Sequence, residues 1–262
     1  MISLIKKGLK LILPKEVYKN KENKIIKYLK NKYKILLATK HAKIAFDIYA
    51  LSKLAGLLNN YVPWTSSSMR PSAVVIILND IIINNRSTII EFGSGISTLY
   101  IAKILQSVGT KTIDKKTFIS VDHDLNWINI VKNMLQKEGL EEIVEFVHAP
   151  LSDSKYSINN LPWYDETILK NSIGNLKFDL IIIDGPPAYA KEFQLIRYTA
   201  LPFLKSCDSI QENVSIYLDD IDRKGEQKIV ELWERKYGYK FARHYANGGI
   251  ATCFLGASFN VI

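Results

Sequence analysis

The sequence has few cysteines and no long hydrophobic run. Two of its 262 residues are cysteine, and their spacing predicts neither a disulfide framework nor a metal site. No stretch of about 18 apolar residues is present, so the sequence predicts no membrane-spanning helix. These absences exclude a disulfide-stapled secreted domain and an integral membrane protein, and they favour a cytoplasmic protein. The length allows one large α/β domain with an extension.

Acidic residues are scarce at the N-terminal end. Residues 1–43 contain 13 lysines and two glutamates, a net charge of +11, whereas the rest carries 22 basic and 24 acidic side chains, a net of −2. A basic segment can contact nucleic acid, acidic lipid or an anionic polymer. The segment has no arginine and few aromatic residues, which favours a solvated helical face instead.

The first 13 residues resemble a signal peptide only superficially. Lys6, Lys7 and Lys10 interrupt the apolar run, and no small-residue cleavage site follows. We predict a short amphipathic helix that packs against the domain, with peripheral contact to a membrane surface as the alternative.

The remaining sequence indicates helices first and then alternating strands and helices. Helical periodicity covers residues 22–58 and 72–83, with a polar, turn-prone segment between them. Strands are predicted at 88–92, 117–121, 143–147, 178–183 and 214–218, followed by two strands around a turn at Asn247, Gly248 and Gly249. Helices are predicted at 96–108, 126–137, 189–201 and 224–237, with a loop and a short helix in 151–175.

This order predicts the fold class. Several strands are continuous apolar runs, which is typical of parallel strands buried on both faces. We predict a doubly wound, mostly parallel, seven-stranded Rossmann-like α/β sheet with an antiparallel edge hairpin and an N-terminal helical extension. The predicted domains are a basic helical extension at residues 1–86 and a ligand-binding domain at residues 87–262.

Acidic residues follow four of the five predicted parallel strands, namely Glu91, Asp122, Asp184 and the pair Asp219 and Asp220. In an open α/β sheet, ligands bind at the carboxyl ends of the strands. Buried acids are costly unless they bind something, so this pattern predicts a ligand site at that edge.

A glycine loop follows the first of these acids. Gly93 and Gly95 permit a tight turn and close approach of a ligand, while Ser97 and Thr98 can cap the next helix or donate to the ligand. A ligand-free turn is the alternative for this motif alone. Asp122, 31 residues after Glu91, can accept both hydroxyls of a ribose.

A nicotinamide dinucleotide fits this loop less well. Thr98 stands where the third small residue of G-x-G-x-x-G belongs, and Glu91 would repel a pyrophosphate. Asp124 competes with Asp122 for the ribose, although its position suits a cap of the helix that begins near residue 126.

Four motifs in residues 88–256 resemble the class I S-adenosylmethionine-dependent methyltransferases: EFGSGIST, FISVDHD, FDLIIIDGPP and SIYLDD. The resemblance is strongest to bacterial small-molecule O-methyltransferase-like domains. In that superfamily the glycine loop holds the methionine part of the cofactor, the acid after the second strand holds the ribose, and residues after the third strand flank adenine. The resemblance implies S-adenosylmethionine-binding residues at Glu91, Gly93, Ser94, Gly95, Ser97, Thr98, Asp122, His123, Ala149 and Asp184.

The same resemblance suggests the catalytic residues. We predict Asp184 as the general base, with Asp219 and Asp220 as helpers; the three carboxylates also form a candidate Mg²⁺ site. Catechol-type enzymes have Asp-Asn after the fifth strand where this chain has Asp-Asp, and helix capping or pairing with Arg223 is the alternative. Gly185 interrupts the Asp-Pro-Pro-aromatic motif of nucleic-acid amino-methyltransferases, which argues against base amino-methylation.

The sequence thus predicts methyl transfer from S-adenosylmethionine to a small-molecule or glycan acceptor, at oxygen. Two alternatives are an RNA methyltransferase that uses the basic N-terminus and a non-catalytic cofactor-binding adaptor. Two loops can close over the substrate or simply pack on the domain. They contain Trp64, Met69 and Arg70, and Trp163 and Tyr164.

Overall fold

The computed structural model describes residues 15–109, 116–256, 259 and 261. The helix predicted for the first 13 residues lies outside this part of the chain. The described helices are α1 (Lys15–Leu54), α2 (Pro71–Ile83), α3 (Ile96–Gly109), α4 (Leu125–Glu138), α5 (Glu166–Ile173), α6 (Ala200–Ser206) and α7 (Lys224–Tyr237). The strands are β1 (Thr88–Phe92), β2 (Thr117–Asp122), β3 (Glu145–His148), β4 (Leu151–Asp153), β5 (Pro162–Tyr164), β6 (Phe178–Ile183), β7 (Ile210–Leu218), β8 (Ala242–His244) and β9 (Ile250–Phe254).

The chain divides into two compact units, Met1–Ala45 and Phe46–Ile262. In the first unit the described residues are helical, as predicted for the extension, and Tyr28 and Tyr33 are exposed. Among the described residues, no helix has the length and hydrophobicity needed to cross a membrane. The domain boundary predicted at residues 86 and 87 stays a prediction.

Seven strands form one sheet in the order β3-β2-β1-β6-β7-β9-β8. The first five strands in this order are parallel, whereas β9 runs antiparallel to β7 and β8 antiparallel to β9. The predicted fold class is therefore confirmed, including the antiparallel edge. The order reverses between β1 and β6, which is where open α/β sheets bind ligands.

Both faces of the sheet are covered. Successive side chains of β6 point to opposite faces, so that Ile181 and Ile183 join one core with Trp163 and Trp233, while Leu180 and Ile182 join a second core with α2 and α3. This explains why β6 is an uninterrupted apolar run that is buried throughout. Because β1 and β6 are parallel and paired, their carboxyl ends lie side by side.

The structure differs from the prediction in two places. An antiparallel hairpin, β4–β5, precedes α5 where a loop was predicted. The helix predicted at 189–201 is wrong: two 3₁₀ turns occupy Lys191–Phe193 and Ile196–Thr199, and α6 then begins at Ala200. Pro202 lies in the first turn of α6 rather than closing a helix, because N–H groups in a first turn have no intrahelical acceptor.

Candidate functional site

A cavity of about 500 Å³ opens at the carboxyl ends of β1, β2 and β6. Its walls come from the loops that follow these strands, from the start of α4, from the end of β5 and from the segment before α2. The lining residues are Thr65, Ser67, Ser68, Met69, Gly93, Ser94, Gly95, Ile96, Ser97, Asp122, His123, Asp124, Trp127, Tyr164, Asp184, Gly185, Pro187 and Tyr189.

Two glycines allow the loops after β1 and β6 to touch. Gly93 has φ +99°, and a Cβ atom there would lie 2.8 Å from the backbone nitrogen of Gly185. A residue with a side chain would therefore be strained and would push the two loops apart. A Cβ atom at Gly95, by contrast, would meet nothing within 4 Å. The close contact of the loops requires glycine at position 93, whereas Gly95 leaves room in the cavity wall.

Glu91 is fully buried behind the glycine loop and does not line the cavity. Three hydroxyl groups donate to its carboxylate: Ser97 at 2.5 Å, Thr98 at 2.6 Å and Ser120 at 2.8 Å. Burial raises the pKa of Glu91 to about 7, although these hydroxyl groups counteract the shift. The geometry gives Glu91 the role of anchoring the loop, so contact with a ligand would be indirect.

Asp122, at the end of β2, reaches the cavity and holds the loops around it. Its Oδ2 accepts from the backbone N–H of Ser94 at 3.0 Å, and its Oδ1 accepts from the N–H of Asp124 at 3.0 Å and contacts His123 Nδ1 at 3.1 Å. The hydrogen bond to Asp122 raises the pKa of His123. Asp124 instead caps α4 by accepting from the N–H groups of Asn126 and Trp127.

Trp127 was not predicted as a site residue. It lines the cavity, and its indole Nε1 donates to the carbonyl oxygen of Ser94 at 2.7 Å, which ties α4 to the glycine loop. The only sequence signal for Trp127 was its position in the first turn of α4, shortly after Asp122.

Asp184, at the end of β6, forms the opposite wall of the cavity. Burial and the neighbouring Asp220 and Glu91 raise its pKa, although Arg197 opposes the shift. Asp219 is also buried, and burial together with the neighbouring aspartates raises its pKa well above the usual range. Asp184 is therefore able to take up a proton near neutral pH.

Arg197 is almost completely buried and joins the ends of β6 and β7. Its Nη2 donates to the carbonyl oxygen of Asp184 at 2.7 Å and to Oδ1 of the same residue at 3.2 Å. Its Nη1 donates to Asp220 Oδ2 at 3.1 Å, and its Nε to the carbonyl oxygen of Pro186 at 3.2 Å. Arg223 forms a second ion pair with Asp220 at 2.8 Å. The aspartate cluster thus already contacts two guanidinium groups.

Most predicted site residues come together. Gly93, Ser94, Gly95, Ser97, Asp122, His123 and Asp184 line the cavity. Asp219 and Asp220 lie beside Asp184 around a smaller adjoining cavity of about 30 Å³. Three predicted residues lie behind the wall, namely Glu91, Thr98 and Ala149.

Some large side chains of the two loops line the cavity, and others pack in the domain. Met69 and Tyr164 line the cavity, whereas Trp163 is buried in the core and Trp64 packs against Tyr100, with ring centroids 6.0 Å apart. Each loop therefore contributes to the cavity wall and to the core.

Residues 90–221, half of the chain, match the profile of a methyltransferase domain family. The chain belongs to this family, and the predicted membership of the class I S-adenosylmethionine-dependent methyltransferases is confirmed. No curated protein matches the sequence significantly.

Solved structures share this fold at low sequence identity. The methyltransferase PaMTH1 of Podospora anserina, solved with S-adenosylhomocysteine, has a TM-score of 0.52 at 12% identity over 86% of this chain and 95% of that one. A proposed caffeoyl-CoA O-methyltransferase of Staphylococcus aureus has a TM-score of 0.51 at 16% identity over 86% of this chain and 99% of that one. A proposed O-methyltransferase of Klebsiella pneumoniae has a TM-score of 0.51 at 14% identity over 84% of this chain and 90% of that one.

Proposed function

We propose that this methyltransferase transfers the methyl group of S-adenosylmethionine to an oxygen atom of a small-molecule or glycan acceptor. The observation that carries the proposal is the cavity itself, which has the glycine loop and Asp122 on one side and the half-buried carboxylate of Asp184 on the other. The solved relatives described as O-methyltransferases support oxygen as the acceptor atom.

The residues present fit the cofactor. The space beside Gly95 can receive a ligand, because even a Cβ atom there would meet nothing. Asp122 accepts three hydrogen bonds, and a carboxylate offers about four acceptor positions, so one remains for a ribose hydroxyl. Gly93, Ser94, Gly95, Ser97, Asp122 and His123 would hold the cofactor, which supplies an electrophilic methyl group when bound.

Asp184 is the group that removes the acceptor proton in this proposal. A base works best when its pKa lies near the working pH, and the raised pKa of Asp184 meets this condition. Arg197 fixes both the backbone and the carboxylate of Asp184, which keeps the base in one orientation. The hydroxyl groups of Thr65, Ser67 and Ser68 line the same cavity and suit a polar acceptor.

The aspartate cluster does not fit Mg²⁺ well. Carboxylate oxygens of Asp184, Asp219 and Asp220 lie within 4.8 Å of one another, as a metal would need. However, Arg197 already binds two of these carboxylates, and Arg223 binds one. A divalent cation would have to displace the buried guanidinium group of Arg197 and the half-buried one of Arg223, so we derive no step through a metal.

Calorimetric titration of the purified protein with S-adenosylmethionine tests the proposal. We expect saturable binding of one molecule per chain, and mass spectrometry of ligands retained through purification would identify cofactor and acceptor together. Gly95→Val is the matched variant, because Gly95 lines the cavity and a Cβ atom there would meet nothing within 4 Å, so we expect the larger side chain to take up cavity space and abolish binding. Absence of binding at millimolar cofactor would contradict the proposal.

A separate titration with RNA tests the alternative acceptor. Lys24, Lys27 and Lys30 are exposed on α1, so RNA bound there should dissociate steeply with added salt. We expect no such binding.

A further inference from the structure

The hydroxyl group of Tyr164 is buried without a hydrogen-bond partner among the described residues. Several other buried polar atoms in that part of the chain also lack a partner, but Tyr164 is the residue among them that lines the 500 Å³ cavity. A buried hydroxyl group without a partner is costly, and such groups are uncommon in native proteins. The position of this one beside a cavity points to a partner that is not part of the chain.

The fold fixes the direction of this hydroxyl group. Tyr164 ends β5 and pairs with Leu151 of β4, so the hairpin places it under the cavity. Its ring stacks on Phe92, with centroids 5.9 Å apart and an interplanar angle of 23°, and meets Trp163 edge to face at 4.9 Å. Because two aromatic neighbours hold the ring, the phenolic oxygen stays in one position, and the side chain cannot move it towards another partner.

The loop after β6 also leaves space for this hydroxyl group. A Cβ atom at Gly185 would collide with Tyr164 Oη, so only glycine allows the two to coexist. Burial raises the pKa of Tyr164 well above its usual value, and the nearby charge of Asp122 adds to the shift. The phenol therefore stays protonated, and its hydrogen remains available for donation.

The neighbours of Tyr164 place it where the loops after β1, β2 and β6 meet, and the charges of Asp122 and Asp184 both act on it. Phe92, Gly93, His123 and Gly185 surround it, and its ring lies 6.5 Å from that of His123. None of these contacts comes from the segment of Thr65, Ser67 and Ser68, which would face the acceptor.

We propose that the Tyr164 hydroxyl group forms a hydrogen bond with a polar group of bound S-adenosylmethionine. This inference rests on the proposed function. It makes Tyr164 a cofactor-binding residue supplied by the β4–β5 hairpin, separate from the glycine loop and from Asp122. In the complex, the Tyr164 hydroxyl group would then have the hydrogen-bond partner that it lacks in the protein alone.

Substitution Tyr164→Phe tests this, because it removes only the hydroxyl group. We expect the Kd for S-adenosylmethionine to rise about three- to tenfold, the loss expected for one hydrogen bond. The Tm of the ligand-free variant should equal or exceed that of the wild type, since an unsatisfied buried group has been removed. Opposite directions for affinity and stability would distinguish a ligand contact from a structural role.

Tyr217→Phe is the matched control. Tyr217 is equally buried, but its hydroxyl group donates to Asp80 at 3.0 Å and it does not line the cavity. We expect this variant to lower the Tm and to leave the Kd within twofold of the wild type.

Failure of the inference is distinguishable from failure of the proposed function. If the wild type does not bind S-adenosylmethionine, the proposed function is wrong. If the wild type binds and Tyr164→Phe binds within twofold, only the inference is wrong. Should Tyr164→Phe not fold, a crystal structure of the wild type with S-adenosylhomocysteine decides: Oη within about 3.2 Å of a ligand nitrogen or oxygen supports the contact, and any longer separation overturns it.

Discussion

The two halves of the sheet edge hold their carboxylates in different ways. At the ends of β1 and β2, hydroxyl and backbone N–H groups donate to Glu91 and Asp122. At the ends of β6 and β7, guanidinium groups bind Asp184 and Asp220. Of Glu91 and Asp122, it is Asp122 that reaches the cavity, where a carboxylate held mainly by neutral donors suits a cofactor with an ammonium group and a sulfonium. Arginines compensate the charge and orient the carboxylate. Arg197 opposes protonation of Asp184, but burial outweighs it and raises the pKa of this group.

Asp184→Asn should produce the largest effect. If Asp184 is the base, the amide cannot accept the proton, and kcat should fall about 10²- to 10⁴-fold while cofactor affinity changes little. The measurement is the rate of S-adenosylhomocysteine formation with the acceptor identified by mass spectrometry. Asp208→Asn is the control, because Asp208 is exposed and pairs only with Lys177 among the contacts described. A normal rate for Asp184→Asn would show that Asp184 is not the base, and the proposed difference between the two halves of the sheet edge would be wrong.

Gly93→Ala should destabilise the protein, because alanine disfavours φ +99° and its Cβ would lie 2.8 Å from Gly185 N. We expect a loss of about 2–4 kcal/mol, seen as a Tm lower by roughly 5–15 °C. Gly95→Ala, two residues away, should leave the Tm unchanged. Equal Tm values for the two variants would show that the loops do not need their close contact.

Asp122→Asn should weaken cofactor binding without affecting the chemical step. The amide has one acceptor oxygen instead of two, and Ser94, His123 and Asp124 already contact the carboxylate, so the position left for a ribose hydroxyl is lost and we expect the Kd for S-adenosylmethionine to rise about tenfold. Asp124→Ala, which removes a helix cap, should lower stability by about 1 kcal/mol and keep the Kd within twofold. The reverse pattern would assign the ribose to Asp124.

Glu91 should make stability depend on pH. Its pKa is raised to about 7 from an ordinary value of 4.5, so the folded state keeps a proton that the unfolded state loses between these values. This contribution is complete below pH 4.5, declines as the pH rises and is lost above pH 7. Glu91→Gln should flatten the plot of Tm against pH over that window, leaving the slope due to other groups with shifted pKa values, such as Asp184, Asp219 and Glu226. An unchanged slope would show that Glu91 is ionised throughout.

Removal of metal should have the smallest effect, namely none. Because Arg197 and Arg223 bind the aspartate cluster, we expect treatment with EDTA to leave activity unchanged. Paramagnetic resonance should likewise detect no Mn²⁺ bound by the wild type. Stoichiometric Mn²⁺ binding that disappears in Asp219→Asn would reverse this conclusion and restore the metal site.

The features that could be predicted from the sequence are those that depend on residues close to one another along the chain. The segment Ile89–Thr98 combines an apolar strand, two glycines and a helix start, and its conformation follows from local preferences. The β4–β5 hairpin escaped prediction because its strands contain three residues each, too few to show alternation.

Arg197 was missed for a different reason. Its ion pairs reach Asp184 and Asp220, 13 and 23 residues away, through a 3₁₀ turn that has no periodic signal. The partners of the carboxylates depend on tertiary packing, so the different surroundings of Asp122 and Asp184 could not be derived from residue type alone.

The contact between Gly93 and Gly185 restricts how this enzyme can change its substrate preference. The two backbones meet with no side chain between them, so their spacing cannot be widened by a substitution that trims a residue. Selection for a bulkier acceptor would have to act on the segment before α2 or on the residues around Tyr189. The reaction geometry would thus be inherited unchanged while the choice of molecule to be methylated diversifies around it.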